Sequence, residues 1–504
     1  MCFLIVSYSL SIYRFLEIAS SHSFGWDSAA FLQNGAIYAG YLQYQQGYDP
    51  TRPPVLPVVL SLMFRVTGPS VYSGYLLSGL LYFLAMTGAY LLARKIMNPW
   101  LAILPALTYG VAPMVIEWGG IVYSDVEGIA IASLGLAVFV SASKNVSGRY
   151  LFLLAIPLLM LAPLTRYALG IIFVPALIYL AASGNARSVL RSRSLYAGLG
   201  IGMVLLLLLS LDWIGYPLSH GYHLSSLTPT PQTLNPFSSP LAHYFFVHNF
   251  ANSLGTGFYG DLLAVAFIAS AVCSLVFLIT GSLRRPGQSE EKKKKKKLVS
   301  ADPLVYSLIA WFVILFVYYS WFWPYSDLRY SIEFIMPVII LAFWGIGRVL
   351  GSFYSFANRH SSQGMIAASI LVLIVVVSVF TLLEVQSGAY VIENTPVVDT
   401  ALNAGIRQAV AWVESNVPTN VHIQADWYTF LWWYMPQYYV TTAPASYQLV
   451  TSSDYRGWLN TISQNNVGYV IYSNPNAINV PQEFHPVFNA SDGVVVFRVG
   501  NGTA

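Results

Sequence analysis

The chain has 504 residues, of which 56% are hydrophobic and only 9% charged, with a mean hydropathy of +0.59 and a net charge of +4. A soluble globular domain carries about 25% charged residues, so this composition excludes one and points to a polytopic α-helical membrane protein. Cys2 and Cys273 both sit in apolar runs, which excludes a disulfide scaffold and a cysteine metal site.

A membrane-spanning helix needs about 20 mostly apolar residues. Runs of that kind occupy Cys2–Ser20, Val71–Ala93, Trp100–Trp118, Val126–Ser143, Leu195–Gly215, Leu262–Gly281, Pro303–Trp323, Ser331–Val349 and Met365–Leu383. The first lacks a basic leader and a small-residue cleavage site, so it reads as a span. Its Arg14 and Glu17 could pair at i,i+3 spacing, or the true start lies upstream. The run Tyr150–Ser183 is too long for one crossing and carries Pro157, Pro163 and Arg166. It reads as two short helices meeting near Ala162–Tyr167, for a total of about eleven membrane helices.

Cation placement orients them. Arg94, Lys95, Lys144, Arg149, Arg187, Arg191, Arg193, Arg284, Arg285, Lys292–Lys297, Arg348 and Arg359 fall on one side if the helices alternate, and the positive-inside rule makes that side cytoplasmic. The lysine run reads as a solvated cytoplasmic loop near anionic lipid. The alternate loops are then outside: Ser21–Pro69, Gly119–Asp125, Tyr216–Asp261, Trp321–Tyr330, and all that follows about Glu384. Within the first of these, Val55–Val66 is too short to cross and reads as a helix lying at the membrane surface.

Residues 1–385 thus form a transmembrane unit with a first outer loop at 21–70, and residues 386–504 a small extracytoplasmic α/β domain. In that tail Asp399–Val417 reads as an amphipathic helix with Ile406, Val410 and Val413 on one face. Val421–Trp427, Val467–Ser473 and Val494–Val499 read as strands, and Asp454–Gln464 as a helix. Sequons at Asn489 and Asn501 permit glycosylation there, whereas Asn145 faces the cytoplasm.

Ionisable residues at membrane depth are costly and mark function. Asp27 precedes an aromatic tract (Phe31, Tyr38, Tyr41, Tyr44), and as an acid at a helix start it reads as a cap, a catalytic group, or both. Asp125 and Glu127 stand where one helix reaches the outer face and the next begins, where negative charge also suits the helix dipole. Arg166 lies in the break between two half-length helices, either lining a cavity or partnering a structural carboxylate. Arg329-Tyr330 adds an outer-face cation. A carboxylate base beside guanidinium groups suits activation of an acceptor hydroxyl against a leaving phosphate. There is no Gly-rich phosphate loop and no His/Glu zinc motif. His220, His223, His243 and His248 gather in one outer loop, as ordinary polar residues or a metal site.

In order along the chain, these elements resemble the integral-membrane glycosyltransferases of the C fold (GT-C), of the protein O-mannosyltransferase and aminoarabinose-transferase type. Trp26-Asp27-Ser28 is similar to the family's early aspartate, with Ser28 where the glutamate of an Asp-Glu pair often stands. Arg52-Pro53-Pro54 is similar to its basic-Pro-Pro element, Tyr123-Ser124-Asp125 to its second aspartate, Leu164-Thr165-Arg166 to its half-helix element, and Arg329-Tyr330 to its late Arg-Tyr. The resemblance implies a polyprenyl-phosphate-linked sugar donor, transfer on the outer face and inversion at the anomeric carbon. It implies Asp27 as base or acceptor-positioning acid, with Asp125 supporting it or helping to hold a metal or the acceptor. Arg52, Arg166, Arg329, Tyr330 and Glu127 are then substrate-binding candidates. A divalent cation stays open, the acceptor is a glycan, lipid or protein, and no nucleic-acid partner is expected. Alternatives are an oligosaccharyltransferase subunit, although Leu431-Trp432-Trp433-Tyr434-Met435 lacks that family's Trp-Trp-Asp-Tyr-Gly, and a transporter or flippase, although no internal repeat is detected.

Overall fold

The computed structural model describes residues 7–13, 15–16, 26–43, 48–219, 245–282, 302–322, 327–360, 400–426, 428–443, 452–473 and 484–500, with isolated positions between 378 and 389. Among the described residues, the segment 21–70 supplies two helices, α1 (Trp26–Ala39) and α2 (Val55–Thr67). Helix α2 follows Arg52-Pro53-Pro54 and buries Val55, Leu56, Leu60 and Phe64 along one face. At 13 residues it is about 20 Å long, well short of the roughly 30 Å hydrocarbon core. Gly68, at φ 78°, ends it in a conformation that glycine adopts without steric cost.

Six helices among the described residues are long and apolar enough to cross a membrane. They are α3 (Val71–Ala93), α6 (Ser124–Lys144), α9 (Arg193–Ser219), α10 (Gly257–Ser282), α11 (Pro303–Val317 with its π-helical extension Tyr318–Phe322) and α12 (Ile332–His360). The protein is thus a multi-pass membrane protein, although the expected eleven helices are not all seen. The run Trp100–Trp118 is not one continuous helix, because Pro113 starts a new helix and divides it into α4 (Ile103–Gly110) and α5 (Pro113–Trp118). The runs Cys2–Ser20 and Met365–Leu383 lie largely outside the described residues.

The region Tyr150–Ser183 divides as its sequence suggests. Helix α7 (Phe152–Thr165) stops at Arg166, whose backbone is extended at φ −149° and ψ 116°. A 3-10 turn over Tyr167–Ile172 then leads into α8 (Phe173–Ala182). At the far end of the bundle, Lys95 Nζ donates to Ser141 Oγ (2.7 Å) and Lys144 pairs with Asp302 (3.6 Å). The cation-rich helix ends thus lie together, away from Asp27 and Asp125.

The tail forms a five-stranded sheet of order β2-β1-β3-β5-β4. The strands are β1 (His422–Ala425), β2 (Tyr439–Thr442), β3 (Val467–Tyr472), β4 (Phe484–Asn489) and β5 (Val495–Val499). β1 runs parallel to β2 and β3, while β5 is antiparallel to β3 and β4. Among the described residues three helices accompany it: α13 (Thr400–Asn416), α14 (Tyr428–Tyr434) and α15 (Ser452–Gln464). Ile406, Val410 and Val413 of α13 are buried, as their spacing requires.

The tail shares a core with α1 and α2. Phe31, Leu32, Leu56, Leu60 and Phe64 cluster with Val410, Phe430 and Leu431, and the Trp433 ring lies 6.2 Å from that of Phe64. Trp432 donates its indole N–H to the Val440 carbonyl at 2.9 Å. Both tryptophans are therefore packing residues of the tail and its contact with α1 and α2.

Candidate active site

Five residues singled out in the sequence, Asp27, Arg52, Asp125, Arg166 and Arg329, converge on one end of the bundle, where Asp49 and Glu333 extend them into an alternating chain, Asp49–Arg52–Asp27–Arg329–Asp125–Arg166–Glu333. Arg52 pairs through Nε with Asp49 (3.0 Å) and through Nη2 with Asp27 (2.9 Å). Arg329 Nη1 meets the other Asp27 oxygen at 3.3 Å, and its Nε lies 3.9 Å from Asp125. Arg166 joins Asp125 (3.0 Å) to Glu333 (2.7 Å). Each arginine thus lies between carboxylates, as charges removed from bulk water require.

Local structure explains each position. Asp27 is in the first turn of α1 and turns its carboxylate to the two arginines, while its backbone N–H donates to Tyr123 Oη at 3.3 Å. Asp125 is in the first turn of α6, but the cap position belongs to Tyr123, which makes no side-chain cap bond, so Asp125 serves Arg166 instead. The extended backbone of Arg166 sends its side chain across α6 at Gly128, where an added Cβ would fall 2.9 Å from Arg166 Cβ and 2.6 Å from Leu169 Cδ1. Arg329 sits in the 3-10 turn Leu328–Ser331, whose Asp327 cap accepts its backbone N–H at 2.8 Å.

Aromatic rings complete the walls. The Arg329 guanidinium is 5.2 Å from the Trp118 and Tyr123 ring centres and 5.3 Å from that of Tyr330. Arg166 lies 5.4 Å from the Tyr330 ring centre, and Tyr330 stacks on Tyr319 at 5.0 Å. Arg52 lies 5.8 Å over Phe31. Burial pushes the Tyr123 phenol well above its ordinary range, and the Asp27 charge adds to that shift, so the ring stays protonated. Burial pulls Arg52 down, but Asp27 and Asp49 outweigh it and hold the guanidinium above its usual value.

The chain of charges has an open end and a closed end. Asp27 keeps 18% of its side chain accessible and Arg52 21%, whereas Asp125 and Glu333 keep none. Arg52 leaves Nη1, and Arg329 leaves Nη2, outside these pairs. The open end can therefore meet an anion while holding Asp27 in place, and the closed end is a strut in which Arg166, itself 16% accessible, ties two fully buried carboxylates together.

Glu333 was not singled out in the sequence. It accepts from Arg166 and from Tyr319 Oη (2.6 Å), and its carbonyl accepts the Trp311 indole N–H at 2.9 Å. The available signal was a lone acid in the apolar run that begins α12. Glu127, by contrast, is buried but joins none of the ion pairs. His220, His223 and His243 lie outside the described residues. Asp27 and Asp125 are turned to arginines, and among the described residues no three His, Cys, Asp or Glu side chains gather as a metal set. These residues do not fit a divalent cation as they stand.

Residues 51–213 match the family model described as dolichyl-phosphate-mannose-protein mannosyltransferase. That span holds Arg52, Asp125 and Arg166. No curated protein matches the chain. Among solved structures, ArnT from Cupriavidus metallidurans bound to undecaprenyl phosphate is similar at TM-score 0.61 and 13% identity, covering 99% of this chain and 98% of that one. The protein has the GT-C fold. The oligosaccharyltransferase AglB from Archaeoglobus fulgidus, in complex with an inhibitory peptide and a dolichol-phosphate, is similar at TM-score 0.59 and 13% identity over 94% of this chain and 69% of that one. The arabinofuranosyltransferase AftD from Mycobacteria matches 99% of this chain but only 40% of its own, at TM-score 0.52 and 14% identity. The family-model match on this fold makes the protein a membrane glycosyltransferase.

Proposed function

We propose that this GT-C protein moves a sugar from a polyprenyl-phosphate-linked donor to an acceptor on the extracytoplasmic side of the membrane, with inversion at the anomeric carbon. The observation that carries the reading is the partly open Asp27 carboxylate, held between Arg52 at 2.9 Å and Arg329 at 3.3 Å. In this reading Asp27 takes the proton of an acceptor hydroxyl as its oxygen attacks the anomeric carbon. The bond from that carbon to the phosphate oxygen breaks with its electron pair on the phosphate. Arg52 and Arg329 meet that charge through their remaining N–H groups. Asp125 acts through Arg329, Tyr330 flanks the same guanidinium, and Arg166 holds the base of the site together.

The donor class is supported by the family description, which names dolichyl-phosphate-mannose, and by the lipid phosphates bound to ArnT and AglB. The outer-face assignment rests on the cation-rich helix ends lying opposite the site. In this reading the tail sheet, which shares a core with α1 and α2, is extracytoplasmic as well. Oligosaccharyl transfer to a peptide is the weaker reading, because Trp432 and Trp433 are engaged in packing.

The test is transfer by purified protein in vesicles, supplied in turn with polyprenyl-phosphate sugars and with nucleotide sugars. Turnover with the lipid-linked donors alone supports the proposal. Turnover with nucleotide sugars alone refutes it.

A further inference from the structure

One residue lies outside the ion-pair chain yet holds its open end. Asn34 is on α1, seven residues after Asp27, so close to two helical turns place both on one face, with Phe31 between them. The Asn34 side chain is buried, with 1% of its surface accessible. Its Nδ2 donates to the Asp49 carbonyl at 2.8 Å, and its Oδ1 accepts the Asp49 backbone N–H at 2.9 Å. A single amide thus pairs with both polar groups of one residue, as a neighbouring strand would.

Asp49 passes that constraint on. Its Oδ1 accepts from Thr51 N (2.9 Å) and Thr51 Oγ1 (2.6 Å), its Oδ2 accepts from Arg52 Nε (3.0 Å), and its carbonyl accepts from Arg52 N (3.3 Å). The turn is also tied at Thr51, whose carbonyl accepts from Tyr167 Oη at 2.6 Å. Asparagine is a poor interior helix residue, and a buried amide is costly unless bonded. At position 34 both of its bonds go to the turn that carries Arg52 and none to its own helix.

We infer that Asn34 is a positioning residue for Arg52: it clamps the Asp49–Arg52 turn so that the guanidinium meets Asp27 with Nη2 and presents Nη1 to the donor phosphate. The inference rests on the reading of Arg52 as a phosphate ligand, but the clamp itself can be measured without it.

Two measurements on the full-length protein in detergent separate these points. The first is hydrogen–deuterium exchange over residues 48–54 in wild type and Asn34→Ala, with Asn34→Ser as the alternative should the alanine variant not accumulate. Faster exchange there, with α3 and α6 unchanged, is expected, and unchanged exchange overturns the clamp. The second is binding of decaprenyl phosphate in a double-mutant cycle with Arg52→Gln. Loss of a charge-assisted bond predicts about tenfold weaker binding for Asn34→Ala, and no further loss when it is added to Arg52→Gln. A full additional loss in the Arg52→Gln background overturns positioning through Arg52. Wild-type binding by Arg52→Gln alone refutes the phosphate role of Arg52, and exchange still decides the clamp.

Discussion

Removing Arg166 tests whether the closed end of the charge chain is a strut. Its guanidinium meets Asp125 at 3.0 Å and Glu333 at 2.7 Å, and both carboxylate side chains have no accessible surface. Breaking a buried pair by deleting one partner costs about 3–5 kcal/mol, because a charge is left in low dielectric. Arg166→Gln leaves buried Glu333 without its cation and Asp125 with only the longer 3.9 Å contact to Arg329, against a total folding stability of about 5–15 kcal/mol for an ordinary domain. The single variant is expected to fall sharply in yield and thermal midpoint in detergent. The triple variant Asp125→Asn, Arg166→Gln, Glu333→Gln removes all three charges while keeping the shapes of the two acids, and is expected to recover most of the loss. An Arg166→Gln protein as stable as wild type, or a triple variant no better than the single one, would refute the strut.

Gly128→Ala puts a Cβ 2.6 Å from Leu169 Cδ1 and 2.9 Å from Arg166 Cβ, so overpacking should cost about 1–3 kcal/mol, read as a lower thermal midpoint with reduced transfer. Arg329→Lys keeps the charge but loses the planar fork between Asp27 and its aromatic neighbours. It should lower kcat/KM about tenfold or more while leaving the fold intact, measured by initial rates beside thermal unfolding. Phe430→Ala removes a ring with 2% exposure from the core joining α14 to α1. It should cost about 3–5 kcal/mol and expose the tail to limited proteolysis before the bundle.

The charged part of the site is legible in the sequence because charge is scarce there. Asp27, Arg52, Asp125, Arg166 and Arg329 stand out against apolar surroundings, and all five meet in the structure. What the sequence does not carry is their pairing, since Arg166 finds Glu333 across 167 positions and Arg329 finds Asp27 across 302. Glu333 itself is hidden by the spanning pattern of α12. Asn34 carries no charge, and its role depends on the path of a separate loop.

The same distinction holds for the fold. Helix α13 and the two-part region around Arg166 follow from periodicity and proline placement. β2, with only four residues, and β4, which contains Pro486 and lies mostly exposed at the sheet edge, lack the alternation that marks a half-buried strand. Helix α14 is a short run rich in aromatic residues, and its packing against α1 is a long-range contact that its own sequence does not carry. The apolar run Trp100–Trp118 reads as one span by hydropathy, yet Pro113 resets the helix within it.

The central claim is that Asp27 is the base of a lipid-linked sugar transfer. It is tested most directly by comparing transfer from a defined polyprenyl-phosphate sugar by wild type and Asp27→Asn, each first shown to have the same thermal midpoint. Loss of a general base predicts a fall in kcat of about 10²–10⁴-fold, with decaprenyl phosphate still bound through Arg52 and Arg329. Wild-type turnover by a folded Asp27→Asn protein would contradict the account.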